Sequence, residues 1–513
     1  MNTPTSTNQA TATGDTPQQR YRMLWRWHFY AGLFVMPLLL LLSITGTLYV
    51  FKPQVEAVLY KDRLFVAAPA QNTVRLSYDD LARAAQATLP AQASLLRVNV
   101  DDTADHSTEL VYRLPSGRKT SIYLNPYNGK VLGRLDIDRR FMQVVRNLHR
   151  DLMLGSWGGI LMELAATWTL VMLATGIALW WPDKSHPGLN AKGRLRPRAQ
   201  LRGRLWWRDL HTVIGIWFAA GAFFFVLSGM PWSGVWGANF KALATSMSFG
   251  YPDGARRAGH IHSAQPGQPR LADQPFTQTP WATGDTAVPH SAHAGHDVAA
   301  QSDAAMDTMP DMPDMPGMPS SHASRTSPPD RASLDKVITS IRRAGLAGGY
   351  ELAVPQTPDG VFSASYYPED PRGQRTLHLD QFSGELIAQT SYAEYGFIAR
   401  AISFGTALHM GQLAGLANQI ICAVIALALG GLSLSGLIMW WSRRPRGTLA
   451  APARTASAKV ARGWKLGLGV LGLVFPLMGL SLILVALLDW WVFAPKSARA
   501  SLRQSLSGSS PGR

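Results

Sequence analysis

The chain has 513 residues, 47% of them hydrophobic, a net charge of +16 and a single cysteine. That length allows several domains, and one cysteine excludes an internal disulfide and a cysteine-based metal site. The positive charge, which in a soluble protein would point to nucleic acid, sits at the ends of apolar runs, so no nucleic-acid partner is expected.

Residues 1–20 are polar and Thr-rich and are expected to be disordered. Five uncharged runs follow, at 29–51, 164–181, 212–240, 411–441 and 466–488. A membrane-crossing helix needs roughly 20 apolar residues. The runs therefore predict spans at 21–51, 148–182, 209–240, 406–442 and 465–493. The first run is too long for the apolar core of a secretory signal and lacks a small-residue cleavage site, which predicts a retained helix.

Arg20, Arg22 and Arg26 precede the first run. The loop 183–208 carries Lys184, Lys192, Arg194, Arg196, Arg198, Arg202, Arg204 and Arg208 against Asp183, and 443–464 is similarly basic. Positive loops stay in the cytoplasm. The N-terminus and these loops are predicted inside, and two large stretches, 52–147 and 241–405, outside. The tail 494–513 would then also lie outside, yet it carries Lys496, Arg499 and Arg503, which leaves the orientation of the fifth span open.

The stretch 52–147 contains a helix-like segment, SYDDLARAAQATL at 77–89, and a strand–turn–strand pattern, YLNPYNGKVLG at 123–133. The stretch 331–405 repeats both, as SLDKVITSIRRAG at 333–345 and LHLDQFSGELIAQ at 377–389. Serine is a plausible N-cap in each helix, and Asn-Gly and Ser-Gly supply the turns. Both stretches read as small α+β domains. Between the third span and the second domain, 241–330 is rich in Pro, Gly, Ser, Asp and Met and is expected to be a disordered insertion. Within it His290, His293 and His296, then Met306, Met309, Met312, Met315 and Met318, recur every three residues. Imidazole with thioether favours copper, so a loose copper-binding tract is one reading and a plain spacer the other.

The spans themselves repeat. Shifted by 260 residues, Leu148, His149, Gly155, Gly176, Trp180 and Trp181 fall on Leu408, His409, Gly415, Gly436, Trp440 and Trp441. Shifted by 183, His28, Gly32 and Gly46 fall on His211, Gly215 and Gly229. The duplication makes two pairs by membrane side, His28 with His211 near the inner face and His149 with His409 near the outer face, each histidine opening its span. Facing imidazoles between helices suit axial ligation of haem iron. Nearby arginines (Arg22, Arg26, Arg146, Arg150 and Arg208) suit haem carboxylates, and Gly32 and Gly215, four residues after their histidines, leave room for a flat ring. Zinc fits less well, because it wants three or four protein ligands and the repeat offers two per side. Interfacial anchoring is the bland alternative for the histidines, and it is the expectation for the paired tryptophans. Glu163 is the one acid near a membrane-depth run, a position that often marks function; its counterpart under the 260 shift is Ala423. Cys422 is expected to serve in packing.

A histidine-led span ending in a Thr-Gly or Ser-Gly turn, an outer domain ending in an NG or SG hairpin, and a Leu-His start to a span ending in Gly-x-x-x-Trp-Trp occur in this order over about 25–445. This series resembles the PepSY-associated transmembrane family. The resemblance implies an α-helical integral membrane bundle, with four core spans from a duplicated unit plus a fifth, and two small α+β periplasmic PepSY-like domains in the bacterial inner (cytoplasmic) membrane. It further implies a transmembrane haem-dependent ferric reductase. Two b-type haems, one at His28 and His211 and one at His149 and His409, would pass electrons from a cytoplasmic or quinol donor to a periplasmic ferric siderophore or other ferric chelate, releasing Fe(II). No GxGxxG lies between a strand and a helix, so no dinucleotide site is expected. The rival readings are a non-redox membrane sensor or adaptor for a periplasmic partner, and a copper-handling protein working through the His/Met tract.

Overall fold

The computed structural model describes residues 17–67, 73–181, 195–247, 249, 267–291, 330–445 and 462–493. In chain order its helices are α1 (Pro17–Val50), α2 (Lys52–Leu59), α3 (Lys61–Leu64), α4 (Tyr78–Gln86), α5 (Phe141–Asp151), α6 (Ser156–Trp180), α7 (Gly203–Gly229), α8 (Val235–Ser246), α9 (Leu334–Arg343), α10 (Phe397–His409), α11 (Gly415–Arg443), α12 (Arg462–Val474) and α13 (Pro476–Phe493). Strands β1 (Ser94–Val100), β2 (Thr108–Arg113), β3 (Lys119–Leu124) and β4 (Val131–Asp136) precede α5, and β5 (Tyr350–Ala353), β6 (Val361–Tyr366), β7 (Arg375–Asp380) and β8 (Leu386–Ser391) follow α9. The chain divides into two compact units. A helical unit comprises Met1–Val50, Val145–Ala242 and Gln419–Arg513, and a sheet unit comprises Phe51–Val144 and Leu243–Asn418.

In the sheet unit the sequence predicts two separate domains, but the strands form one eight-stranded sheet in the order β4-β3-β2-β1-β5-β6-β7-β8. The seam is the antiparallel pair β1–β5, with Val98 opposite Leu352 and Val100 opposite Tyr350. Each half would otherwise leave an edge strand with unpaired backbone groups, and the duplicated partner covers it. Alternation then sorts the side chains. Val98, Leu110, Ile122, Leu352, Phe362 and Leu377 point to one face and pack under Leu81 and Ala85 of α4 and Val337, Ile338 and Ile341 of α9. The caps are as the sequence predicts: the hydroxyls of Ser77 and Ser333 accept from the N–H of Asp80 and Lys336. The hairpin turns carry Gly129 at φ +70° and Gly384 at φ +69°, conformations a Cβ disfavours.

The two helix starts also cap each other. Asp79 accepts from the N–H of Leu334 and Asp335 at 2.9 and 3.1 Å, and Asp335 accepts from those of Tyr78 and Asp79 at 2.9 and 3.1 Å. Burial and the shared hydrogen bond raise the Asp79 carboxyl above its ordinary range. Burial acts the same way on Asp335, but the Asp79 side chain and two backbone N–H groups outweigh it and hold Asp335 below that range.

The opposite sheet face is polar and still buried. Glu109 accepts from Ser121 Oγ at 2.6 Å and Asn99 Nδ2 at 2.8 Å, and pairs with Arg140. Arg97 bridges to Glu351 at 3.1 Å. Burial opposes the Glu109 charge, yet Arg140 and Arg97 outweigh it and hold the carboxyl below the usual range.

Part of the expected disordered insertion is ordered here. Residues 267–291 belong to the sheet unit and bury Leu271, Trp281, Ala287 and Val288, while the carbonyl of Pro275 and the hydroxyl of Thr277 accept from Arg97. Those apolar anchors supply burial that the flanking Pro/Met/Asp-rich sequence does not offer.

In the helical unit four helices among the described residues are long and apolar enough to cross a membrane, Tyr21–Val50, Ser156–Trp180, Gly203–Trp232 and Gly415–Arg443. Two of them begin later than the sequence predicts. His149 lies in the last turn of the separate helix α5 and His409 ends α10, and each helix is followed by a left-handed break, with Leu152, Met153 and Gly155 at positive φ in one repeat and Gly411, Ala414 and Gly415 in the other. The fifth predicted span is two helices. Pro476 follows a break at Phe475, and a Cβ on Gly479 would lie 2.5 Å from the Gly472 carbonyl oxygen. Seven residues along a straight helix would separate these groups by about 10 Å, so the chain doubles back. Phe475 and Met478, at the bend, bury against a cluster that includes Ala31, Val35, Trp168 and Val171.

A candidate paired-histidine centre

His28 lies on α1 and His211 on α7, and their rings meet edge to face with centroids 6.3 Å apart. The pairing inferred from the duplication is thus present inside the helical unit. Each ring is held by a hydroxyl from a neighbouring helix. His28 Nδ1 is 3.0 Å from Thr175 Oγ1 on α6, and His211 Nδ1 is 2.9 Å from Ser435 Oγ on α11. His149, in the same unit, repeats the arrangement with Thr45 Oγ1 on α1 at 2.9 Å.

The hydroxyl protons decide the tautomer. Thr175 donates to the Val171 carbonyl at 2.7 Å, Thr45 to that of Leu41 at 2.7 Å, and Ser435 to that of Leu432 at 3.0 Å. A hydroxyl whose one proton is committed to its own helix can only accept from the imidazole. That arrangement favours the tautomer with hydrogen on Nδ1 in all three rings. Nε2 is left as the lone-pair nitrogen, the state a neutral metal-ligating imidazole needs.

A glycine follows every one of these hydroxyls. A Cβ on Gly176 would stand 3.2 Å from His28 Cε1, one on Gly46 3.3 Å from His149 Cε1, and one on Gly436 3.8 Å from His211 Cε1. These pairs lie in helices, Thr45-Gly46 included, which the sequence reading takes as a turn, and they form ledges on which the rings rest. Ser228 and Gly229 occupy the position of Thr45 and Gly46 under the 183 shift, and Ser228 likewise donates to the Phe224 carbonyl at 2.7 Å. The repeated hydroxyl–glycine dipeptide was the sequence signal for these supports. A Cβ on Gly32 would stand 3.6 Å from the Met172 side chain and one on Gly215 3.8 Å from that of Leu432, ordinary van der Waals contacts.

The donor set fits a haem better than zinc. A ring nitrogen bonds a first-row metal at about 2.0 Å and the ring centre lies about 1 Å behind it, so two imidazoles on opposite sides of one ion have centroids about 6 Å apart, and two at a tetrahedral angle about 5 Å. Among the described residues no group of three or more His, Cys, Asp or Glu is placed to hold a metal ion, so the pair lacks the third protein ligand that zinc wants. Arg208, one turn before His211, has its Nε buried without a hydrogen-bond partner, a position suited to a carboxylate. Arg443 lies over the ring of Trp25 at 4.5 Å.

The remaining candidates separate from this centre. His409 ends α10 in the sheet unit. Glu163 is buried and accepts from the N–H of Val235 at 2.9 Å and of Trp236 at 3.1 Å, so it caps α8, an arrangement that accounts for an acid at this depth. His290 pairs with Asp359 at 2.9 Å. His293, His296, Met306, Met309, Met312, Met315 and Met318 lie outside the described residues. The tryptophan pairs repeat their geometry, with centroids 6.2 Å apart in both Trp180–Trp181 and Trp440–Trp441. Trp181 and Trp441 are exposed, as interface anchors are, and Cys422 is buried.

The family described as PepSY-associated TM region matches residues 25–443. No curated protein matches the chain.

Proposed function

Because the chain belongs to the PepSY-associated TM region family, a multi-pass membrane setting is its premise, and we propose that it is an inner-membrane b-type haem protein that reduces a ferric chelate. The observation that carries this reading is the His28–His211 pair, two part-buried imidazoles 6.3 Å apart with both Nδ1 atoms engaged. These two would hold the inner haem, with Arg208 beside its carboxylates. The duplication extends the reading to a second haem, with His149 among its ligands. Haem supplies one-electron chemistry in a medium where a free ion would be costly.

The chain's own residues do the rest. Thr175 and Ser435 orient the rings, and apolar helix surface keeps water away. The sheet unit lies on the periplasmic side in this reading and receives a ferric siderophore or similar chelate. Hard oxygen donors hold Fe(II) less tightly than Fe(III), so one electron loosens the metal. The donor is a cytoplasmic protein or a quinol, since the chain has no dinucleotide fingerprint.

The test is the optical spectrum of purified full-length protein in detergent, expressed with ample haem. The expected result is a reduced-minus-oxidised b-type signal, with one component lost in both His28→Ala and His211→Ala. Wild-type protein without haem overturns the reading.

A further inference from the structure

We propose that the hydroxyl–glycine pairs are positioning elements that set the tautomer and donor strength of their histidines, with Thr175 acting on His28, Ser435 on His211 and Thr45 on His149. The part concerning donor strength rests on the haem reading above; the tautomer part stands without it.

The geometry is the same three times over. A hydroxyl on the adjacent helix lies 2.9–3.0 Å from Nδ1. Its own proton goes to a backbone carbonyl of its helix. The next residue is a glycine against Cε1. A histidine needing only a hydrogen-bond partner in an apolar bundle would be satisfied by either nitrogen. Repetition of one tautomer, with the hydroxyl spent as a donor each time, selects the arrangement that leaves Nε2 available. An acceptor on Nδ1–H also pushes electron density toward Nε2 and makes it a stronger base. A stronger ligand favours the ferric state and lowers the reduction potential. Loss of the acceptor should raise that potential without removing the ligand.

Two readouts test this on the full chain. The first is the 15N spectrum of histidine-labelled protein stripped of haem. Nδ1-protonated neutral rings are expected for His28, His149 and His211, with the His28 signal moving in Thr175→Val and returning in Thr175→Ser. Nε2-protonated rings in wild type overturn the proposal, whether or not haem binds. The second is a redox titration followed optically. Thr175→Val should raise the midpoint potential of the component that His28→Ala abolishes, and Thr175→Ser should restore it. Ser435→Ala should do the same through His211, and it serves if the valine variant fails to fold. Haem retained at an unchanged potential in a folded variant overturns the assigned role while leaving the haem reading intact. A wild-type chain without haem removes the haem reading and leaves the tautomer result to decide this one.

Discussion

His378 in β7 is 2% exposed, its Nδ1 lies 2.9 Å from Ser363 Oγ, and burial pushes its pKa down to about 4. In the unfolded chain it titrates near 6.5. Between those values the unfolded state holds the extra proton, so stability falls as pH drops through that window and is flat above it. The shift corresponds to roughly 3 kcal/mol at its lower end. Glu109, held below the usual carboxylate range, loses stability in the same direction as it protonates. Thermal unfolding of wild type and His378→Gln, from neutral pH to about 4, separates the two: the variant should keep the Glu109 part and lose the histidine part. Parallel curves would mean that His378 titrates alike in the folded and unfolded states. Side chains of this kind were not equally legible in the sequence. His28 and His211 stood out because a duplication marked them. His378 carries no such mark, and Thr45-Gly46 looked like a turn because its place inside a helix, with a ring against the glycine, is a feature of folded geometry.

The helices α4 and α9 were legible because a serine precedes each apolar rhythm, and capping is local. The segment 462–493 was not. An uncharged run looks alike whether it crosses a bilayer or turns back within it, and only Pro476 and the Gly472/Gly479 spacing hinted at the bend. Helix α12, with 13 residues, is about 20 Å long, short of the roughly 30 Å hydrocarbon core. A hairpin that enters and leaves on one side returns the basic tail to the side of the basic 443–464 loop, which removes the conflict with the charge rule. A C-terminal fluorescent-protein fusion should therefore be bright, and a C-terminal alkaline phosphatase fusion inactive. The reverse pattern would make this segment a true fifth span. Gly479→Leu would drive a side chain into the Gly472 backbone. It should destabilise the chain by about 1–3 kcal/mol, read as a lower thermal midpoint.

At the scale of the whole chain, duplication solved an edge problem. Alone, each half of the sheet would leave an edge, β1 or β5, with unpaired backbone groups. Pairing them makes one core under α4 and α9, and the reciprocal Asp79 and Asp335 caps tie the helix starts together. The sequence showed the repeat but not the join, because edge-to-edge pairing is made by backbone groups that every residue has. The register supplies a direct test. Asn99 faces Glu351 across the seam, and directly opposed antiparallel residues have Cα atoms about 4.5–5.5 Å apart, within the range a disulfide accepts. In a Cys422→Ala background, Asn99→Cys with Glu351→Cys should oxidise readily. With a protease site inserted between residues 300 and 320, the cut chain should then run as one band without reductant and as two with it. Neighbouring pairs one residue out of register, such as Asn99→Cys with Leu352→Cys, place their side chains on opposite sheet faces and should stay reduced. Equal oxidation of both pairs would mean that the two halves slide or meet some other way, and that the single eight-stranded sheet is wrong.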